Sequence, residues 1–500
     1  MNQPTEQLRT FIATQQLHIA AALAPYDSES ATCLWLDTLR GIEEIINLVN
    51  VDWDDDVFAE QLFEFPVCLC ECHIDKLHAI RHQLLVKFSA NFANRFCKLI
   101  LQGAAFSQAL AAHGLHQIFN EFQSVGTMIG YLQSRRRHFV ALLHFLPMAC
   151  RGHQRVTQLD TLNIFFPLIE LHAVRMVGAQ QQLMVMLAQA RLGMPVDGGV
   201  ELAMLDNLFL EPERNPIIGL SFADKFQSEI QPRLEPLQPD RLFSAAELRN
   251  QILLIEAAYA EFELDGTDFS IAATLVRHLS VDCIVRDFWI QLSPAALNAL
   301  MDKLGAPLAL RSAFVSHPES YMQCLSSYAP LVLLNNRYLS TVTLLSRFMY
   351  FWRGKVLDRN KRYQIRSGFI FEEAVKSKLI KQGFSVQNIV RVNRQEFDVV
   401  AVRNGVIWNV QCKNNITDIE HLYSDADSFA RYNYKLVRAY ERALTKERNR
   451  EHLLKQKLSI ETVQHMLVSK FPVVTDNPRI VVFSRIADFA QKADDILNKG

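Results

Sequence analysis

Residues 396–414 read EFDVVAVRNGVIWNVQCKN, and this stretch decides the fold of the part of the chain that carries it. Asn404-Gly405 is the strongest short-range signal of a β-hairpin, because a type I′ turn needs positive φ at both central positions. The turn sets the register. If Arg403 pairs with Val406, then Asp398 stands opposite Gln411 and Glu396 opposite Lys413. Directly opposed residues have Cβ atoms about 4.5–5.5 Å apart on one face, and the strand period of two brings Lys413 to the face of Gln411. Glu396, Asp398, Gln411 and Lys413 therefore cluster in a hairpin otherwise made of Val399, Val400, Ala401, Val402, Val406, Ile407 and Val410. Burying a charge is costly unless it is paired or coordinates a metal.

A carboxylate with an amide oxygen opposite it suits a hard divalent cation such as Mg²⁺, which takes one or two carboxylates, other oxygen donors and waters. A lysine two residues away can orient a water or stabilise charge developing on a phosphate, and metal-assisted hydrolysis requires those parts. A plainer alternative stays open on spacing alone: an Asp398–Lys413 or Glu396–Lys413 ion pair on an exposed hairpin.

Around the hairpin the pattern is mixed α/β. RGKVLDRNKRYQIRSG, which starts at Arg353, is polar, charged and Gly-flanked, as domain junctions are. FIFEEAVKSKLIKQGF reads as an amphipathic helix stopped by Gly383. Three β-rich runs follow, FSVQNIVRV, EFDVVAVRN and VIWNVQCKN, then a basic helical region from Asp425 to Gln456. A last strand, RIVVFSRI, and a C-terminal helix complete the order α-β-β-β-α-β.

This order, with Gly368, Phe371 and Glu372 on the helix, Gly383-Phe384, Glu396 to Asp398 and Gln411-Cys412-Lys413, resembles the PD-(D/E)xK nuclease superfamily. The likeness is to its restriction-endonuclease-like fold and its Mrr-like and Holliday-junction-resolvase-like branches, over residues of about 365–495. The resemblance implies an endonuclease that hydrolyses phosphodiester bonds, in DNA foremost, with Mg²⁺ or Mn²⁺. Asp398 would be the metal-binding aspartate, Gln411 the second ligand, the Cys412 main-chain carbonyl a further ligand, and Lys413 the lysine near the attacking water. Glu372 would be the helix acid that reaches the metal directly or through water. Glu373 is its fallback, because a one-residue error rotates a helix by about 100°. Two departures stand out. Gln411 replaces a carboxylate, as in the Mrr-like branch, which removes one negative charge and should weaken Mg²⁺ binding. The proline that names the motif is absent, with Glu396-Phe397 before Asp398. The alternative function is a degenerate nuclease-like protein that binds nucleic acid or a protein without hydrolysis.

Charge supports a nucleic-acid partner only when counted by segment. The whole chain carries −1, but residues 351–500 hold 27 Lys+Arg against 17 Asp+Glu, a net of +10, and residues 1–350 hold 25 against 36, a net of −11. The excess is densest from Arg431 to Lys457. Arg431, Lys435, Arg438 and Arg442 recur at three and four on one helical face and read as phosphate contacts, with Tyr432, Tyr434 and Tyr440 as stacking candidates. The distal half of this helix, with Glu447, Arg450 and Glu451, reads as a solvated, ion-paired surface.

From residue 1 to about 350 the apolar period is helical nearly everywhere, as in FSANFANRFCKLILQGAAFSQALAAHGLHQIF. The expected organisation is an all-α helical domain at 1–205, a proline-rich linker or loop at 206–242, a helical region at 243–355 and the nuclease-like α/β domain at 356–500. A helix is expected to restart after Ser244, three residues before Glu247. Residues 1–350 are expected to bind a protein partner, regulate or self-associate, and their acidity suits autoinhibitory docking over the basic face. An apolar fraction of 49% excludes wholesale disorder. Nine cysteines without a spacing framework point to a reducing, cytoplasmic setting. No membrane partner is expected: Leu331 to Trp352, the longest apolar-looking stretch, is broken by Asn335, Asn336, Arg337 and Arg347.

Weaker signals lie elsewhere. Cys68, Cys70, Cys72, His73, His78 and His82 are dense in soft ligands, but their steps differ from a zinc knuckle, and core thiols are the commoner reading. Asp52, Asp54, Asp55 and Asp56 lack the glycine and glutamate of a calcium loop and read as an acidic first helical turn. Arg135, Arg136, Arg137 and His138 either contact nucleic acid or pair with acidic groups. Cys412 with His421 raises a nucleophilic-cysteine reading, disfavoured because Cys412 alternates away from Asp398.

Overall fold

The computed structural model describes residues 3–51, 53–67, 71–112, 114, 123–157, 160–195, 232–236, 242–286, 288–415 and 425–498. The chain forms two compact units. One comprises Phe11–Val177 and Ser228–Val356, the other Met1–Thr10, Gly178–Gln227 and Leu357–Gly500. Most of the expected 206–242 linker lies outside the described residues.

In the helical unit, α1 (Ser28–Asn47) starts at Asp27, whose side chain accepts from the Ser30 N–H. Its apolar stripe, Trp35, Leu39, Ile42 and Ile46, repeats at three and four and is fully buried. It packs on α2 (Val125–Ala149), where the Trp35 indole donates to the Phe139 carbonyl at 2.9 Å. Helices from both expected helical regions share this unit: Tyr321 stacks on His138, and Arg137 donates to the Leu325 carbonyl at 2.8 Å. The helix at Ala245–Ala258 starts after Ser244, whose N–H is accepted by the Glu247 carboxylate.

The basic run on α2 is internal. Arg136 makes a buried, two-pronged pair with Glu43 at 2.7–2.8 Å, and Arg135 pairs with Glu170 at 2.7 Å. His138 is held neutral, its pKa lowered to about 3 by burial and by Arg135 and Arg137. These groups satisfy acidic partners inside the unit, which decides between the two readings of that run. Asp55 caps the helix Asp56–Phe63 through the N–H groups of Val57 and Phe58, as an acidic helix start should.

The all-α expectation for the N-terminal region needs correction. Strands β1 (Trp289–Leu292), β2 (Val332–Leu334) and β3 (Arg337–Thr341) form a small antiparallel sheet in the order β1-β3-β2. Its tight turn is Asn335-Asn336, both with positive φ (46° and 58°), a backbone that asparagine tolerates without glycine. The longest apolar run is thus a hairpin feeding a helix at Val342–Leu357. Among the described residues no helix is long and apolar enough to cross a membrane.

The second unit carries a five-stranded mixed sheet, in the spatial order Ile480–Val482, Val463–Ser469, Val406–Lys413, Val399–Arg403 and Ser385–Gln387. Helix α3 (Lys361–Ile380) starts at Asn360 and stops at Gly383, whose φ of 83° only glycine adopts freely. Then come β4 (Ser385–Gln387), a two-stranded excursion of β5 (Arg391–Val392) and β6 (Gln395–Glu396), then β7 (Val399–Arg403) and β8 (Val406–Lys413). Helices α4 (Ala426–Arg448) and α5 (Glu451–Leu458) lead to β9 (Val463–Ser469), β10 (Ile480–Val482) and α6 (Phe489–Asn498). One face of the sheet buries Val399, Ala401, Trp408 and Val410 with Phe371 and Val375 of α3 and Phe489 of α6. The other buries Val400 and Ile407 with Phe397 and with Leu453 and Leu454 of α5.

The expected order α-β-β-β-α-β holds as α3, β4, β7, β8, α4 and β9, with a different closing strand. RIVVFSRI contributes only Ile480–Val482, and the strand beside β8 is VQHMLVS. Buried on both faces in a parallel pairing, VQHMLVS has no polar–apolar alternation for the eye to catch.

Candidate active site at the end of the hairpin

The hairpin register is the one the turn dictates. Asn404 and Gly405 have φ of 54° and 72°, Arg403 pairs with Val406, and the ladder runs to Val399 opposite Val410. There it stops. The Phe397 N–H turns to the Val390 carbonyl, and Glu396 pairs in β6 with Arg391. Glu396 is exposed and salt-bridged to the Arg391 guanidinium, so the expected Glu396–Lys413 opposition does not form.

Asp398, just outside the ladder, accepts from the Cys412 backbone N–H at 2.8 Å through Oδ2. Burial raises its pKa, against the lowering pull of that N–H and of Lys413. Gln411 is buried on the face that carries Lys413, whose Nζ donates to Gln411 Oε1 at 2.7 Å. Glu372 arrives from α3. Its pKa rises to about 7, first through burial and next through the charge of Asp398. Glu373 instead is exposed and paired with Lys376 at 2.6 Å, which resolves the one-residue ambiguity in favour of Glu372. Asp398, Gln411 and Lys413 therefore gather where β8 leaves the hairpin, Glu372 lies close enough for the charge of Asp398 to raise its pKa, and Glu396 is held by Arg391 instead of Lys413.

The Cys412 side chain points to the other face, against the α3 core, and its thiol is raised well above the usual range by burial and by Asp398 and Glu372. Such a thiol is no nucleophile. His421, its proposed partner, lies outside the described residues, as do Asp52, Cys68 and Cys70.

The pairing of Glu447 with Arg450 forms, but the expected solvated surface does not: Glu447 is buried in a network on the α5 side of the sheet. Buried Asn409 donates to Glu447 at 2.7 Å and sits 3.3 Å from His465 Nδ1. Arg450 Nε donates to Glu447 at 2.9 Å, and its guanidinium lies 4.7 Å from the centre of the Phe397 ring, next to Asp398. The signal was an asparagine at an inward position among Ile407, Trp408 and Val410.

Helix α4 turns Phe429, Asn433, Val437, Tyr440 and Leu444 to the sheet. Asn433 bonds the Val474 backbone, Tyr440 the Ser469 hydroxyl beside Lys413, and Glu447 reaches Asn409. The helix thus runs against β8 and β9, with its first half at the Lys413 end. Arg431, Lys435, Arg438 and Arg442 are exposed on its outer face. Of the three tyrosines, Tyr440 is buried, Tyr432 packs edge-on against Phe471, and Tyr434 lines an open concavity with Lys435, Arg438 and Arg442.

Among the described residues no three His, Cys, Asp or Glu side chains are grouped to hold a metal. The donor set still fits one hard divalent cation. Two half-buried carboxyls have raised pKa, one of them partly through the other's charge, Asp398 Oδ1 accepts nothing from the described residues, and an amide and a main-chain carbonyl lie next to Asp398. No protein-family model, curated protein or solved structure matches the chain.

Proposed function

We propose that the unit containing α3 to α6 is a Mg²⁺- or Mn²⁺-dependent nuclease of the restriction-endonuclease-like kind that hydrolyses phosphodiester bonds, in DNA foremost. The observation that supports this reading is that Glu372 and Asp398 both have raised pKa values, Glu372 partly through the charge of Asp398, while Asp398 feels Lys413, which is bonded to Gln411. Uncompensated acids cost stability unless a function retains them. Asp398, Glu372, Gln411 Oε1 and the Cys412 carbonyl are the groups that would hold the ion. A bound divalent cation supplies Lewis-acid charge at the scissile phosphate. Lys413 Nζ exchanges its bond to Gln411 for the attacking water or a phosphate oxygen. The cations of α4 hold the strand. Residues 1–350, with their net of −11, serve regulation, a protein partner or self-association.

One observation favours the second reading, binding without hydrolysis: Gln411 is neutral and its oxygen already accepts from Lys413. The test incubates the full chain with plasmid, linear and single-stranded DNA and with RNA, in Mg²⁺, Mn²⁺ or EDTA. Metal-dependent cleavage that Asp398→Ala and Lys413→Ala abolish supports the nuclease. Binding without cleavage, or cleavage indifferent to both substitutions, rejects it.

A further inference from the structure

Helix α4 divides its aromatic and cationic residues in a way that names the form of nucleic acid it takes. The outer face carries Arg431, Lys435, Arg438 and Arg442 over eleven residues, about 16 Å at the helical rise. Lys435 and Arg442 hold no ion pair among the described residues, whereas Arg438 is paired with Glu441 at 3.0 Å and Arg431 reaches Asp425 at 3.7 Å. Unpaired, exposed cations on one line suit a polyanion that follows the helix axis. Tyr432 and Tyr440 are turned into the protein, so a single aromatic ring remains in this row.

That ring is Tyr434. It lines an open concavity with Lys435, Arg438, Glu441, Arg442 and Thr445, and the Arg438 guanidinium lies 5.4 Å from its centre. Within a duplex each base is already stacked on both faces and has none to offer. An unpaired base can stack on a tyrosine or a guanidinium while its phosphates meet the neighbouring cations. Cations alone would serve duplex and single strand alike, and the ring among them separates the two.

We infer that the outer face of α4 is a binding groove for single-stranded nucleic acid, with one base stacked at Tyr434 and the flanking phosphates on Lys435 and Arg442. The inference rests on reading α4 as the helix that contacts nucleic acid. It adds that the substrate is presented there as an unpaired strand.

The test measures anisotropy of a labelled, mixed-sequence single strand and of its duplex with full-length protein, in EDTA so that no cleavage intervenes. The single strand is expected to bind about tenfold more tightly, and Tyr434→Ala to remove about that factor for the single strand alone. Tyr434→Phe keeps the ring and should retain single-strand affinity. Lys435→Ala and Arg442→Ala should weaken both substrates and flatten their salt dependence. Duplex bound as tightly as single strand, single-strand affinity unchanged in Tyr434→Ala, or no binding of either would overturn the inference. Metal-dependent cleavage lost in Asp398→Ala, with Tyr434→Ala still binding as wild type, would sink this inference and leave the nuclease standing.

Discussion

Two clusters, one in each unit, treat charge drawn out of water in opposite ways. In the helical unit the buried arginines of α2 find carboxylates: Arg136 has Glu43 and Arg135 has Glu170, both at 2.7 Å. In the sheet unit Glu372 and Asp398 are drawn out of water with raised pKa values, and the ammonium groups that act on them, Lys376 on Glu372 and Lys413 on Asp398, are bonded elsewhere, to Glu373 and to the Gln411 amide. A paired buried charge is consistent with architecture. Two like charges without a direct ion pair among the described residues leave room for a ligand. The difference teaches where to look for function in a chain whose composition points nowhere.

The largest expected effect tests the ligand side of this contrast. Asp398→Ala should lower metal-dependent cleavage by about 10²–10³-fold while leaving the melting temperature unchanged or higher, because it removes a strained carboxyl. A destabilised but active variant would break the comparison. Arg136→Ala should do the reverse. Leaving Glu43 buried without its partner costs about 3–5 kcal/mol, read as a lower urea midpoint.

Acid and base should act oppositely on the two units. The Glu372 pKa rises from 4.5 to about 7 on folding, so its contribution to stability is present below 4.5 and lost as pH rises through 7. In EDTA, melting of the sheet unit should therefore weaken from pH 5 to 8. Glu372→Gln should remove that slope, and Mg²⁺ should stabilise the wild type more at pH 8 than at pH 6. His138 and His144, lowered to about 3 and about 4, are neutral when folded, so their contribution is present above 6.5 and lost as pH falls toward 4. Amide protection factors in α2, which correct for the intrinsic pH dependence of exchange, should fall as pH drops over that range. The smallest effect belongs to the exposed Arg391–Glu396 pair: Glu396→Ala should cost less than about 1 kcal/mol and leave cleavage unaltered.

Local rules made much of this legible. The Asn404-Gly405 turn gave the register to Val399 and the shared face of Gln411 and Lys413. The helix before Gly383 carried Glu372, and the acidic run at Asp55 was a cap. The failures are non-local. Glu396 follows the strand period only until Phe397 leaves the ladder for Val390, a contact that depends on β5. Strand β9 hides because both its faces are buried, and Asn335-Asn336 makes a hairpin that a search for helical period passes over. Arg135 to His138 stayed open between nucleic-acid contact and acidic pairing because Glu170 and Glu43, the partners of Arg135 and Arg136, are remote in sequence.

The pairing of β8 has a consequence in time. Its contact with β7 closes across two residues, and hairpins of that kind form in about 1–10 μs. Its contact with β9 joins Lys413 to Ser469 across α4 and α5, and a loop that long closes late. As the chain leaves the ribosome, Glu372, Asp398, Gln411 and Lys413 all emerge ahead of the helix that carries the cations. The groups at the end of the hairpin are thus synthesised before the cationic face of α4, and the sheet that holds them is completed only when β9 closes on β8.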